Sequence, residues 1–337
     1  MTRIIPARAR GVLLAGLLVA GLVAPARAQH RLYAGLIQNK GYVVGAPLTD
    51  AGFHVFAGDS TWTHIGWKIP RVFGIAFDPS DPRTIYLAAG NGLLRSFDGG
   101  ASWRIVTDWR ITEVQDVEVD PQRPERIYLS SADGVWRSHD RGDTWAFIGG
   151  EVLNRYVQAV EVDRSASGRL LAGAEHGLYR SEDDGATWTR VAEVDDVMDI
   201  QQSASEPGVW LAGMARGGVM ASNDGGRTWT RARGRTQQQT FYGVAIDPAN
   251  ARRMAAVGWD TGVLISANGG RTWKRTGDRL PVDDFYEVIF DPDVSGRIWV
   301  ATVEAGIFYS DDDGKRWTSA GMFGTLVFDM TFAPAAD

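Results

Sequence analysis

Apolar and polar positions alternate along this chain in short runs, and the order of the runs repeats. Within residues 72–103 an apolar run, 72–77, gives way to the turn sequence Asp78-Pro79-Ser80-Asp81-Pro82 and then to a second run, 84–89. Gly90-Asn91-Gly92 leads into a third, Leu93-Leu94-Arg95-Ser96, and Trp103 opens a fourth. Runs of this length predict β-strands joined by tight hairpins, because Asn and Gly accept the positive φ that such turns need. Four strands per period predict one antiparallel sheet. Counterparts of the first run stand at 114–119, 157–162, 197–202, 241–246, 285–290 and 327–332.

One signature joins the third run to the fourth each time: Ser-x-Asp-x-Gly-x-Thr-Trp. It stands at 96–103 (Ser102 in the Thr place), 138–145, 181–188 and 222–229, and returns at 266–273 with Asn268 for Asp and at 310–317 with Arg316 for Thr. A worn copy at 55–62 keeps Thr61 and Trp62. The closing tryptophans, at 62, 103, 145, 188, 229, 273 and 317, are 41 to 44 residues apart. A period of this size marks a repeat architecture, in which each unit buries its faces only by stacking on neighbours.

The run 327–332 follows the last signature and has no partner strands of its own, whereas residues 31–36 read as a second-type run with no first run before it. The two defects are complementary. The C-terminal strand is expected to complete the N-terminal sheet and close a ring, which removes open edges. The expected fold is all-β: a seven-bladed β-propeller of four-stranded antiparallel blades. Within each signature the Asp is expected to accept turn amides, and the Trp to be buried between sheets and to dominate the stability.

Arg3, Arg8 and Arg10 precede an apolar stretch, 11–24, and Ala26-Arg27-Ala28 follows. This reads as a cleaved signal peptide, 1–28, ahead of a propeller at 29–337, and implies a periplasmic or extracellular protein. The formal net charge of −6 becomes −10 without the leader's four arginines, which argues against nucleic acid as a partner. There is no cysteine, so a thiol nucleophile, a thiolate metal site and disulfides are excluded. His30, His54, His64, His139 and His176 show no metal-ligand spacing, and neither a metal nor another cofactor is expected. No stretch after the leader is apolar enough to span a membrane, and a monomer is expected.

The signatures resemble the Asp-box, or bacterial neuraminidase repeat, over essentially the whole of 29–337. Propellers of this kind include sialidases, xyloglucan-cleaving glycoside hydrolases, sortilin-type receptors and photosystem II assembly factors. The resemblance implies the propeller fold. It also implies that ligands meet the face carrying the loops into each first strand and the turns between second and third strands, with the boxes on the opposite face. The loops supply Arg71, Trp109, Arg110, Arg155, Tyr156, Tyr242 and Tyr286, and the turns supply His176, Arg216, Trp259, Asp260 and Glu304. Arg71, Arg110 and Arg155 resemble the basic patch by which some assembly-factor propellers hold a protein. The insertion 38–52 is the one turn much longer than its counterparts, a place where function often sits.

One register position of the first strands reads Gly74, Asp116, Ala159, Asp199, Gly243, Glu287 and Asp329. Small and acidic residues there suit the wall of a solvated channel. The alternative is that carboxylates drawn from Asp116, Glu287, Asp260 and Glu304 perform acid–base chemistry on a glycoside. Sialidase chemistry is not expected. Lys68 stands where the sugar-carboxylate arginine should be, and Tyr286 and Glu287, consecutive in a strand, should point to opposite sides. No complete catalytic constellation is visible, so the leading expectation is a non-catalytic scaffold binding a protein or glycan, with a glycoside hydrolase as the alternative.

Overall fold

The computed structural model describes residues 30–38, 50–150 and 153–335; the leader and most of the 38–52 insertion lie outside the described residues. The chain forms seven four-stranded antiparallel sheets. Ring closure is as the sequence implies. Thr325–Pro334 pairs with His30–Gln38, from His30 opposite Pro334 to Gln38 opposite Thr325, and the sheet continues through Ala51–Gly58 to Thr61–Ile65. We number this sheet blade one. The innermost strands of blades two to seven are Val72–Asp78, Val114–Val119, Val157–Val162, Asp195–Gln202, Thr240–Asp247 and Phe285–Phe290.

Burial falls from the middle of each blade to its outer edge. In blade four the second and third strands, Leu170–Ala174 and Gly177–Ser181, are wholly buried, whereas the outer strand Thr189–Ala192 is not. The core is divided into seven clusters, one in each gap between blades. The gap between blades three and four holds Tyr128, Val135 and Ile148 against Val160, Leu170 and Tyr179. Every box tryptophan wedges back into the gap shared with the preceding blade, as Trp188 does here. The indole N–H of Trp188 donates to the Ile148 carbonyl at 2.7 Å, that of Trp145 to Val106 at 2.9 Å and that of Trp62 to Ala320 at 2.7 Å, so these three rings also tie blade to blade. The box tryptophans pack into the gaps between sheets as expected, and each is part-buried there.

The box is a hairpin clamp. Asp183 accepts the Thr187 amide at 2.8 Å and the Thr187 hydroxyl at 2.6 Å, while Ser181 accepts the Gly185 amide at 2.9 Å and donates to Asp183. Because strands alternate in direction, all box turns share one end of the ring with the Asp-Pro turns. The loops into the innermost strands open at the other end. Among the described residues no helix is long and apolar enough to cross a membrane.

Candidate functional site

A cavity of about 1060 Å³ runs along the innermost strands. Its mouth is shaped by a feature the repeat does not announce. Each innermost strand slips register at its start: between Val72 and Gly74, Val114 and Asp116, Val157 and Ala159, Val197 and Asp199, Phe241 and Gly243, and Phe285 and Glu287, with the matching slip opposite Gly35 and Leu36 in blade one. A bulge inserts one residue and rotates the strand locally, so two consecutive side chains can face the same side. Tyr286 and Glu287 accordingly both line the cavity, which corrects the expectation that they face apart.

The seven bulge residues ring the mouth. Those of blades six, seven, one and two are Tyr242, Tyr286, Phe328 and Phe73, and they touch in series. Tyr242 stacks on Tyr286 with centroids 4.8 Å apart, Tyr286 meets Phe328 edge-on at 5.7 Å, and Phe328 meets Phe73 at 4.9 Å. The other side of the ring is Gln115, Gln158 and Met198. The mouth is aromatic on one half and carries two glutamines and a methionine on the other.

Below the mouth the acidic and small residues alternate by blade. Asp329, Asp116 and Asp199 stand in blades one, three and five; Gly74, Ala159 and Gly243 stand in two, four and six. Each Asp reaches over the small residue of the next blade and accepts the amide just after it: Asp329 from Ile75, Asp116 from Val160 at 3.0 Å, and Asp199 from Val244 at 2.8 Å. The small residues are a packing requirement, since a Cβ on Gly74 would lie 2.9 Å from Asp116 Oδ1. An odd ring cannot alternate throughout. Blades seven and one both carry an acid, and there the residue is the longer Glu287, which accepts the Val288 amide at 2.8 Å.

Burial raises all of these carboxyls. Asp116 rises to about 6, Asp199 to about 7 and Asp329 to about 8, and Glu287 stands well above its usual range, where the charges of Asp199 and Asp329 add to the effect of burial. Two residues deeper along the strands, burial lifts Glu161 to about 8, and burial together with the charge of Glu161 holds Glu118 well above the usual range. Arg164 lies 3.8 Å from Glu161.

The structure sorts the candidate residues into two sets. Asp116, Glu287, Tyr156, Tyr242, Tyr286 and Arg71 line the cavity. Trp109, Arg110, His176, Arg216, Trp259, Asp260 and Glu304 are exposed on the rim of the same face, so Asp260 and Glu304 do not join the channel carboxylates. Arg110 is held by Asp108 of its own loop, with Nε 3.0 Å from the carboxylate. Arg155 is half-buried, and its Nε has no hydrogen-bond partner among the described residues. Sequence reasoning missed Asp108 as the partner of Arg110, and missed Glu118 and Glu161, whose spacing two residues past the acidic register was the available signal.

No protein-family model matches the chain, and no curated protein is similar to it in sequence. Solved structures share its fold at low identity. A GH74 enzyme from Niastella koreensis is 21% identical with a TM-score of 0.69, over 89% of this chain and 55% of that one. Ycf48 from Cyanidioschyzon merolae is 16% identical with a TM-score of 0.58, over 73% and 84%. Ycf48 bound to a D1 peptide is 18% identical with a TM-score of 0.55, over 73% and 80%. This chain thus spans about half the length of the Niastella enzyme. It is a closed seven-bladed β-propeller, similar in fold both to GH74 enzymes and to Ycf48.

Proposed function

We propose that this propeller is a non-catalytic scaffold that binds a protein or glycan partner on the face around the channel mouth. The observation that carries the reading is the placement of its exposed aromatics. Four of the six exposed aromatics among the described residues, Trp67, Trp109, Trp259 and Phe323 (48%, 85%, 56% and 67% exposed), belong to loops or turns of that one face, while Phe97 sits in a box turn at the opposite end and Phe147 on an outer strand. Large aromatic rings left in water on one face are what a partner covers, and such residues dominate interface energies. The channel carboxylates support binding over catalysis, since Asp116 commits both oxygens to backbone amides. The similarity in fold to a Ycf48 bound to a D1 peptide is consistent with this reading.

The test uses Trp109→Ala combined with Trp259→Ala, two substitutions that touch no core. Immobilised protein is probed with a cell-envelope extract and with a glycan array. A bound species lost in the double variant, at unchanged melting temperature, is the expected result. Undiminished binding by the double variant would overturn the reading. So would sugar released from xyloglucan or β-glucans by the unaltered protein. That last outcome would favour a glycoside hydrolase, for which Glu287, whose carboxyl is raised well above its usual range by burial, is suited to general acid chemistry. Glu287→Gln would then abolish turnover.

A further inference from the structure

On the glutamine side of the mouth, a second cavity of about 300 Å³ opens between blades four and five. Its walls are Ala174, Val197 and Ala215, with the Tyr156 ring and the flexible Met198 thioether at its sides. Glu175 and Asp196 stand at its lip. The Asp196 amide donates to the Glu175 carbonyl across the gap at 3.0 Å, which ties the backbones of the two acidic residues together. Neither carboxylate has an ion-pair partner among the described residues, although Arg155 and Arg216 belong to the neighbouring chain segments. Burial raises the Tyr156 phenol, and the negative charges of Glu113 and Glu175 add to that effect.

From this arrangement we infer that the pocket between blades four and five receives a cationic side chain, arginine or lysine, presented by the partner. The inference rests on the scaffold reading and gives the partner its chemistry. The apolar walls accept the methylene stem of such a side chain, which buries readily while its charged head stays polar. The Tyr156 ring offers a π-face to the cation. The adjacent carboxylates accept charge-assisted hydrogen bonds, and a guanidinium can engage two oxygens at once. The aromatic arc across the mouth would then cover the apolar part of the same partner.

The probe is N-acetylarginine amide, with N-acetylcitrulline amide as its neutral isostere and N-acetyllysine amide as the second cation. Amide shifts of Glu175, Asp196 and Tyr156 are followed by NMR on the full chain. Saturable shifts with either cation and none with citrulline are expected, weakening with salt. Glu175→Gln and Asp196→Asn should each weaken binding roughly tenfold, the loss of about one charge-assisted hydrogen bond. Equal response to citrulline, or binding unchanged in the double variant, would overturn the inference. The two readings fail separately. If neither cation binds while the tryptophan-dependent partner is still captured, the scaffold stands and the pocket assignment falls. If a cation binds in the pocket and the tryptophan double variant captures normally, the pocket stands and the proposed docking face falls.

Discussion

The carboxylate of Asp116, in blade three, accepts the backbone amide of Val160, in blade four, at 3.0 Å, and its second oxygen accepts the Val117 amide at 2.8 Å. The side chain is thus a staple between neighbouring blades at the narrowest part of the ring. Asp116→Ala leaves two enclosed N–H groups without acceptors. We expect it to cost about 2–3 kcal/mol in urea unfolding, because an unsatisfied enclosed donor loses its full desolvation energy. Asp116→Asn keeps one acceptor oxygen and should cost less. A neutral Asp116→Ala variant would show that water replaces the carboxylate without loss, and that the alternating acids are not staples.

The same carboxyls set the pH dependence of stability. Their folded pKa values lie above the unfolded value of about 4, chiefly through burial, so the folded state holds protons that the unfolded state releases. Stability from these groups is full below about pH 4 and is lost as the pH rises through about 6 to 8. Two other kinds of group act in the opposite sense. The box carboxylates of Asp98 and Asp312, lowered to about 2 by Ser102 and by Arg316, lose their contribution as the pH falls through that value. His54, lowered to about 4 by burial, loses its contribution as the pH falls from 6.5. The melting temperature is therefore expected to be highest at mildly acidic pH and to fall steadily towards pH 8. Glu287→Gln, which removes one of the two acids meeting where the alternation fails, should flatten that fall and raise the melting temperature at pH 8. A melting temperature that climbs between pH 5 and 8 would mean that the channel carboxyls are ionised in the folded state.

The ring, its count of blades and its closing strand were legible because they depend on periodic, local signals. The tryptophan interval fixes the repeat, and the unmatched runs at 31–36 and 327–332 fix the closure. The mouth was not legible, because a bulge changes which side a residue faces without changing the alternation of the sequence. Tyr286 and Glu287 read as opposite-facing for that reason. The acidic register was visible at Asp116, Asp199, Glu287 and Asp329, but its bonds to Ile75, Val160 and Val244 depend on the packing angle between blades. Asp260 and Glu304 shared a face with the channel acids in sequence terms. Only the geometry of their turns, where both residues have positive φ, places them at the exposed rim.

Within a box, the tryptophan and the aspartate stabilise in different ways, and their substitutions should separate. Trp188 joins the core cluster between blades three and four and bonds to Ile148 across the gap. Asp183 caps an exposed hairpin, where water competes for the same donors. Trp188→Ala is expected to cost about 3 kcal/mol, the lower end for a large aromatic because the ring is only part-buried. Asp183→Ala should cost about 1 kcal/mol. Equal losses in chemical denaturation would make the hairpin clamp, and not the wedge between blades, the main contribution of the repeat.

Removing residues 325–337 tests the closure directly. The strand Thr325–Pro334 pairs along the whole of His30–Gln38, and Val327 and Met330 pack with Leu32, Leu36 and Trp299 in the gap between blades seven and one. Without it, His30–Gln38 becomes an unpaired edge facing the channel, and that gap loses its inner wall. Exposed strand edges beside apolar surface recruit other chains. The truncated protein should therefore aggregate or fail to give a cooperative melt. Loss of folding alone would fit any C-terminal deletion, so the paired measurement is a circular permutant that places 325–335 ahead of His30 through a short turn. In that chain the strand reaches the same position as the first half of a hairpin. A melting temperature within a few degrees of the unaltered protein is expected, since the ring needs the strand and not its place in the chain order. A permutant that folds no better than the truncation would show that closure by the C-terminal strand, the topological seam itself, contributes something the pairing alone does not supply.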